Sequence, residues 1–557
     1  MNELNNLLSK ALPVGLQFKL SQYLTKLKFL SAKHSSIEAT LEKRSIYHWL
    51  LILVAGAFMG IKVGVPIIYE GSYIDEYNHI LSGVEFFKSG HFAEVYKGAY
   101  YTRGSSVSIL TGFFLQLLGK TIFVAKMVPV LISIACFCIF YKLCNYILGD
   151  KRFTLISLLI YTSVPWFIFN HFYIRMYVMY EFLLLLLTFL FIKAIANTNN
   201  IQKFLGYFFT SILISFLLYL FEDGNGRYII LLYSFLFTIY LGIFEIPIAL
   251  QFKYKARHLF KLLPLTILGI ALLLNNELFS IFEYFTTGTL QFSSGENHKY
   301  HDLFFKKNLL FTIFFLSSIF LVPLKNTRKI VKLVIGASLL LFLVHYTSST
   351  SFQITRGIIY FLPLFFLVAV KSYLDFTKLI NSRIISSLIL LGFAYHVYSN
   401  YPNDFLSKGP YIPTEVNYRE YAKGAEITDE YAVSSKDVVI TNFPHIYKFY
   451  SHKYDYYKQN DENVYLLRDN ASSFYDARLK YQNQKGHTVY TISGDPIITD
   501  LKELKSIMDL QPQKIVVSLD KVFYSYWSKD TTRQFIQHHC QKEFENDQFL
   551  IYSREDL

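Results

Sequence analysis

The chain has 557 residues, 53% of them hydrophobic, 18% aromatic and only 17% charged, and its mean hydropathy is +0.30. So apolar a composition excludes an ordinary soluble protein and a disordered one, and leaves a polytopic membrane protein with room for one soluble domain. The formal net charge of +13 would suit nucleic acid, but Lys and Arg of a membrane protein collect in cytoplasmic loops facing anionic headgroups, so no nucleic-acid partner is expected. Of the four cysteines, Cys136, Cys138 and Cys144 share one apolar segment and Cys540 lies near the C-terminus, a spacing that fits neither a disulfide framework nor a zinc site.

Residues 1–46 carry Lys10, Lys19, Lys26, Lys28, Lys33, Lys43 and Arg44 among leucines. No compact apolar core ends in small residues there, so a cleavable signal is not expected. The pattern predicts an interfacial amphipathic helix on the cytoplasmic face, serving as a topogenic anchor. Residues 47–398 hold apolar segments at 48–69, 105–118, 122–148, 153–169, 177–196, 204–221, 228–250, 262–282, 308–324, 333–346, 357–370 and 384–398. A spanning helix needs about 20 such residues, and 105–118 is short.

Loop charge decides whether 105–118 crosses. If it does, Lys151-Arg152, the basic run 253–261 and Lys325-Asn-Thr-Arg328-Lys329 all fall outside, against the positive-inside rule. If it lies in the outer leaflet instead, all three fall inside. That leaves about eleven transmembrane helices, a first external loop over 70–121, and an external tail over 399–557.

The same topology gathers polar residues on the outer face. Foremost is the acidic pair Asp75-Glu76 in 73–79, directly after the first apolar segment. The others lie in 100–104, 170–177, 222–227, 283–307 and 347–356. Charges held near a bilayer point to function, although an ordinary solvated loop pair would read the same way. An Asp, with a reference pKa of about 3.9, is ionised near neutrality and can take the proton of an attacking hydroxyl. Arginines can hold a phosphate bidentately as it leaves. Together these groups suit sugar transfer from a lipid-linked phosphate.

Beyond 398 the apolar runs shorten and charges return. Residues 437–442, 488–493, 514–519 and 549–553 read as strands, and 500–510 as an amphipathic helix with an acidic cap. Strands alternating with helices predict a C-terminal soluble α/β domain. It carries no phosphate-loop or dinucleotide fingerprint.

Four features in 74–196, and a fifth further on, resemble the GT-C superfamily of membrane glycosyltransferases, within it the branch of protein O-mannosyltransferases and lipid A aminoarabinose transferases. They are Asp75-Glu76 after the first span, Tyr101-Thr-Arg103-Gly104, Lys126-Met-Val-Pro129, Arg175-Met-Tyr177 opening a leucine-rich helix, and Arg356-Gly-Ile-Ile-Tyr360-Phe-Leu-Pro363, similar to an arginine-led helix with a central proline. The resemblance implies an inverting transfer from a polyprenyl-phosphate sugar donor to a protein, glycolipid or glycan acceptor, by an integral protein among membrane lipids; the usage of Lys, Asn, Ile and Tyr points to a bacterial plasma membrane. It implies Asp75 as the base with Glu76 beside it, and Arg103, Arg356 and Lys126 at the donor phosphate. Tyr101, Arg175, Tyr177 and Tyr360 fall at substrate-binding positions. Lys126 departs from the usual Arg and lacks its planar fork. No cofactor and no obligatory metal are implied, and His298, His301 and Asp302 read as a solvated loop.

Arg175 with Glu181 also reads as a polar anchor at a helix start, and Glu222, Asp223 and Arg227 as a glycine-rich turn. Two rival functions remain. A transporter or lipid flippase predicts inverted repeats and charges buried in mid-helix, and a scaffold gives the outer carboxylate and arginines no task.

Overall fold

A computed structural model of the protein describes residues 46–64, 74–92, 94–95, 99–100, 102, 104–164, 171, 173–222, 225–246, 301–321, 327–347, 359–380 and 382–399, then 421–432, 434, 437–442, 444–451, 453, 463–469, 480–482, 488–490, 495–510, 514–521, 528–546 and 549–554. The basic N-terminal segment and the expected span 262–282 lie outside them.

Every other expected span is helical over its described residues: α1 Ile46–Gly64, α4 Ile122–Leu148, α5 Lys151–Ser163, α6 Met176–Ala196, α7 Ile201–Phe221, α8 Asn225–Tyr240 with its π-turn Leu241–Glu245, α9 Leu309–Ser317 with the 3-10 turn Ser318–Leu321, α10 Lys329–Thr347, α11 Leu362–Ile380 and α12 Arg383–Ser399. Ahead of α4 come α2 Ile74–Ser89 and α3 Ser105–Leu118. Six of the described helices are long and apolar enough to cross a membrane. Short polar caps join successive helices. Thr121 accepts the Val124 N–H at 3.2 Å, Asp150 the Arg152 N–H at 2.8 Å and Asn200 the Lys203 N–H at 3.2 Å. In the apolar 18-residue core of Ile359–Ile380, 89% of the residues are buried, so it lies at the centre, whereas in that of α1 only 17% are, so α1 lies at the rim. Pro363, expected mid-helix, sits in the first turn of α11, where its missing N–H leaves no helical bond unmade.

Polar contacts fix which helix ends share a side. The Arg152 Nε–H donates to the Tyr47 hydroxyl at 3.0 Å, and Arg328 donates to the Ile147 carbonyl at 3.1 Å. Lys329 is ion-paired with Glu245. The start of α1, the end of α4 and the starts of α5 and α10 therefore lie at one end of the bundle, together with the basic clusters at 151–152 and 328–329. The chain leaves α1 and enters α4 at the opposite end, so α2 and α3 make no net crossing. Instead they form a hairpin whose backbones touch. A Cβ on Gly83 would lie 1.8 Å from the Ser108 carbonyl oxygen, and one on Gly112 would lie 2.1 Å from the Gly83 oxygen. The outer side of α3 exposes Leu110, Phe113, Leu117 and Leu118, the surface of a helix lying against lipid.

The tail is an α/β layer structure. After the short antiparallel ribbon of β1 Glu94–Val95 and β2 Ala99–Tyr100 beyond α2, the tail supplies β3 Val438–Thr441, β4 Val464–Leu467, β7 Ile497–Ile498, β8 Ile515–Asp520, β9 Gln541–Glu545 and β10 Phe549–Arg554. They form a six-stranded sheet in the order β7-β4-β3-β8-β10-β9, parallel from β7 to β8, with β10 antiparallel to both β8 and β9. All of β8 is buried, because helices cover both faces. Ala425 and Tyr447, from α13 Tyr421–Tyr431 and α14 Pro444–Tyr450, pack with Val439 and Val516. Leu504 of α15 Leu501–Leu510 and Ile536 of α16 Asp530–His539 pack with Ile440 and Val517 on the other face. The acidic cap of α15 is as expected: Asp500 accepts the Glu503 N–H at 2.7 Å, and Glu503 accepts the Thr499 N–H at 2.8 Å. The expected strand 488–493 is β6 Thr488–Tyr490, and it leaves the main sheet to pair with β5 Lys480–Gln482 as a separate antiparallel ribbon.

Gly112→Val should drive the α2 and α3 backbones apart. It should cost at least about 1–3 kcal/mol, read as a lowered Tm in detergent. Gly206→Ala, where a Cβ meets nothing within 4 Å, should leave Tm unchanged or raise it slightly.

Candidate active site

The acidic pair opens α2, so Asp75 and Glu76 occupy the first helical turn, where unpaired N–H groups favour negative charge. The Asp75 side chain, Tyr101, Arg103 and Arg356 lie outside the described residues. Glu76 is fully buried, and its Oε1 accepts the Ile174 backbone N–H at 2.6 Å. Lys126, in the second turn of α4, is buried within electrostatic reach of Glu76. The structure therefore brings Glu76, Lys126 and the start of α6 together. Lys126, expected at the donor phosphate, thus lies within electrostatic reach of the buried Glu76 carboxylate.

Gly104 explains why a glycine follows Arg103. Its φ is +64°, and a Cβ there would lie 2.9 Å from the Met176 Cβ and 3.0 Å from the His79 ring. Only glycine permits both the left-handed turn and the close approach of α2 and α6. His79 contacts the Ser108 hydroxyl at 3.1 Å, and Ser106 donates to Glu222. Glu222 is thus a buried side chain bonded from α3, and Asp223 and Gly224 of the expected turn lie outside the described residues.

Arg175 precedes α6 in an extended conformation, nearly buried, with its guanidinium 6.0 Å from the Tyr177 ring centre. Tyr177 is also buried. One turn on, Tyr180 packs edge-on against Tyr360 at 6.0 Å. On its other side is Gly226, where a Cβ would strike the ring at 2.5 Å. Tyr360 is therefore joined to α6 through Tyr180.

Glu181, read from the sequence as a polar anchor with Arg175, is bonded to other groups. Its Oε2 accepts from the His171 Nε2 at 2.7 Å and its Oε1 from the Tyr161 hydroxyl at 2.6 Å, all fully buried. Buried Lys62, of α1, lies within electrostatic reach of this carboxylate. Sequence reasoning passed over this group. The available signal was a lysine and a glutamate inside otherwise apolar helices. His301 meets the Tyr346 hydroxyl at 3.3 Å, and His298 lies outside the described residues. Among the described residues no three His, Cys, Asp or Glu side chains are grouped to share an ion.

The tail reaches this end of the bundle. The Tyr77 hydroxyl donates to that of Tyr450 at 2.9 Å, its ring packs edge-on against Phe449 at 5.3 Å, and the Lys120 ammonium lies 5.3 Å from the Phe449 ring centre. Burial, and then the Tyr450 hydroxyl, push the Tyr77 phenol well above its usual value, so it stays a donor. Tyr421, Ile446 and Phe549 of the tail join the apolar core of the membrane domain.

No family profile matches the chain, and no curated protein matches its sequence. Solved structures do match. ArnT from Cupriavidus metallidurans in the apo state superposes with a TM-score of 0.56 at 11% identity, over 92% of this chain and 98% of that one. The same protein bound to undecaprenyl phosphate gives 0.58 at 12% identity, over 90% and 97%. The chain has the fold of ArnT. The likeness spans both the helical bundle and the tail. The Archaeoglobus fulgidus oligosaccharyltransferase, at TM-score 0.47, 13% identity, and 90% and 72% coverage, is too distant to refine this placement.

Burial lowers the His171 ring from 6.5 to about 4; Glu181 opposes the shift and Lys62 adds to it. Tyr161 and Cys136 are the other titratable groups around the set. Because the folded value is depressed, the unfolded chain binds the extra proton as pH falls below 6.5. The stability is therefore complete above that value and is lost toward pH 4. Between pH 7 and 5 the bundle should lose on the order of 2 kcal/mol from this group. Thermal unfolding against pH should show the decline, and His171→Gln should flatten it.

Proposed function

We propose that the protein is an inverting glycosyltransferase that moves a sugar from a polyprenyl-phosphate donor to an acceptor hydroxyl at the outer face of the membrane. The observation that carries this reading is the acidic turn of α2 within a GT-C fold. Its Glu76 carboxylate is buried and bonded to the chain entering α6. One of the matching ArnT structures is bound to undecaprenyl phosphate, a donor carrier of the class proposed here.

In this reading Asp75 takes the proton of the acceptor hydroxyl. The hydroxyl oxygen attacks the anomeric carbon from the face opposite the phosphate, and the carbon–oxygen bond to phosphate breaks. Polyprenyl phosphate leaves with its charge held by Arg103 and Arg356. Glu76, anchored by the Ile174 N–H and faced by Lys126, holds the turn in place and does not accept the proton. Tyr101, Arg175, Tyr177 and Tyr360 would line the substrate path. Residues 399–557 would form the external α/β domain and shape acceptor access, in a bacterial plasma-membrane protein whose residues 1–46 face the cytoplasm. Single cysteines at Ser518 and Lys255 test that orientation. In intact cells an impermeant thiol reagent should label position 518 and spare 255, and the reverse pattern would refute it.

The buried charges Lys62 and Glu181 are what a transporter would also show, so turnover must separate the two. Purified protein with a polyprenyl-phosphate sugar and acceptor should release free polyprenyl phosphate, which transport alone does not. Asp75→Asn should lower kcat by about 10²–10⁴-fold with donor binding retained. Arg103→Ala should weaken donor binding as well. A folded Asp75→Asn protein with near-normal turnover would remove Asp75 from the mechanism.

A further inference from the structure

The segment 171–175 is held at both ends. At one end the His171 ring is bonded to Glu181 in the second turn of α6, at 2.7 Å, and the same carboxylate accepts from Tyr161 of α5 at 2.6 Å. The His171 carbonyl also accepts from the Ser133 hydroxyl of α4 at 3.2 Å. At the other end the Ile174 N–H is bonded to Glu76 at 2.6 Å, and the Arg175 N–H to the Tyr173 carbonyl at 2.8 Å. His171, Glu181, Ile174 and Glu76 are each buried to within 1%. No water reaches these bonds to replace one that is lost, so breaking one leaves a desolvated polar group rather than a rehydrated one.

We infer that Glu181 and His171 are positioning residues that set the place of the acidic turn through the Ile174 N–H. The inference rests on the proposed role of Asp75 as base. With the ring neutral, Nε2–H is the donor and the Glu181 carboxylate the acceptor. The imidazole is thereby fixed in one tautomer and one orientation, and the backbone of 171–175 with it. Glu76 then has a donor at a fixed point, and Asp75, one residue earlier in the same helical turn, inherits that placement. Tyr161 holds the other oxygen of Glu181, so the carboxylate cannot rotate away from His171. Lys62 lies within electrostatic reach of the same carboxylate. The set reaches the acidic turn through the chain and one hydrogen bond, and none of its members needs to touch substrate.

The test uses the full-length protein with two readouts. The first is transfer with a polyprenyl-phosphate sugar. His171→Leu should lower kcat by on the order of 10²-fold, the cost of a small misplacement of a reacting group, while donor KM stays within about twofold. His171→Gln, which keeps an N–H near the Nε2 position, should recover most of the rate. In a Glu76→Ala background His171→Leu should cost nothing further, because the link it acts through is already cut. The second readout is backbone amide exchange in the peptide 171–177, which needs no activity. Exchange should quicken in His171→Leu and in Glu76→Ala, but not in His171→Gln. Tyr161→Phe removes only one bond to Glu181, so it provides a milder variant should His171→Leu not fold, and it should show the same pattern at smaller size. Additive losses in the double variant, or unchanged exchange in folded His171→Leu or Tyr161→Phe, would overturn the inference. If wild-type protein transferred no sugar while the exchange pattern held, the proposed function would fall and the link from Glu181 to Glu76 would stand.

Discussion

A carboxylate withdrawn from water must be given partners, and around Glu76 this requirement organises one end of the molecule. Its Oε1 takes the Ile174 N–H, and Lys126 lies within electrostatic reach. A charge so placed would be costly in a low-dielectric interior without such company. The groups that satisfy it come from α4 and from the chain entering α6. Two distant stretches of sequence are thereby fixed relative to the first turn of α2, and the site inherits rigidity from the helices they belong to.

The hairpin of α2 and α3 meets the same need from the side. Gly83 and Gly112 let the two backbones touch, and Gly104 lets the turn before α3 lie against Met176 and His79. Small residues permit close approach where apolar side chains would hold helices apart. The consequence is a short helix that stays at one end of the bundle. Its apolar outer side suits lipid, and its inner side carries Ser106 and Ser108 to Glu222 and His79.

The tail is not an independent appendage. Tyr77 of the acidic helix is bonded to Tyr450 and packed on Phe449, both in the helix that directly follows the central strand β3. The central strands of the tail sheet are buried on both faces, so α14 sits on a stiff support. The first turns of α2 are thus held by α6 within the membrane domain and by α14 from outside it. Any motion of the tail would be felt at Asp75 and Glu76.

The sequence by itself determined the elements whose cause is local. Apolar length marked the spans, loop charge removed 105–118 from them, and the described contacts at Tyr47, Arg152 and Arg328 agree with that choice. Short apolar runs marked β3, β8 and β10, and Asp500 marked the start of α15. What only the tertiary structure decided depends on groups distant in the chain. Residues 488–490 have the pattern of a sheet strand, but their partner is β5 and not the main sheet. Glu181 reads as a neighbour of Arg175, six residues away, yet its bonds go to His171 and Tyr161 because a buried carboxylate takes the donors that packing brings to it. The pairing of Tyr77 with Tyr450 spans more than half the chain, and no periodicity encodes it. Composition and pattern fix which segments leave water. Which buried polar groups then meet is set by how the helices pack, since only the assembled bundle fixes the partners of each desolvated group.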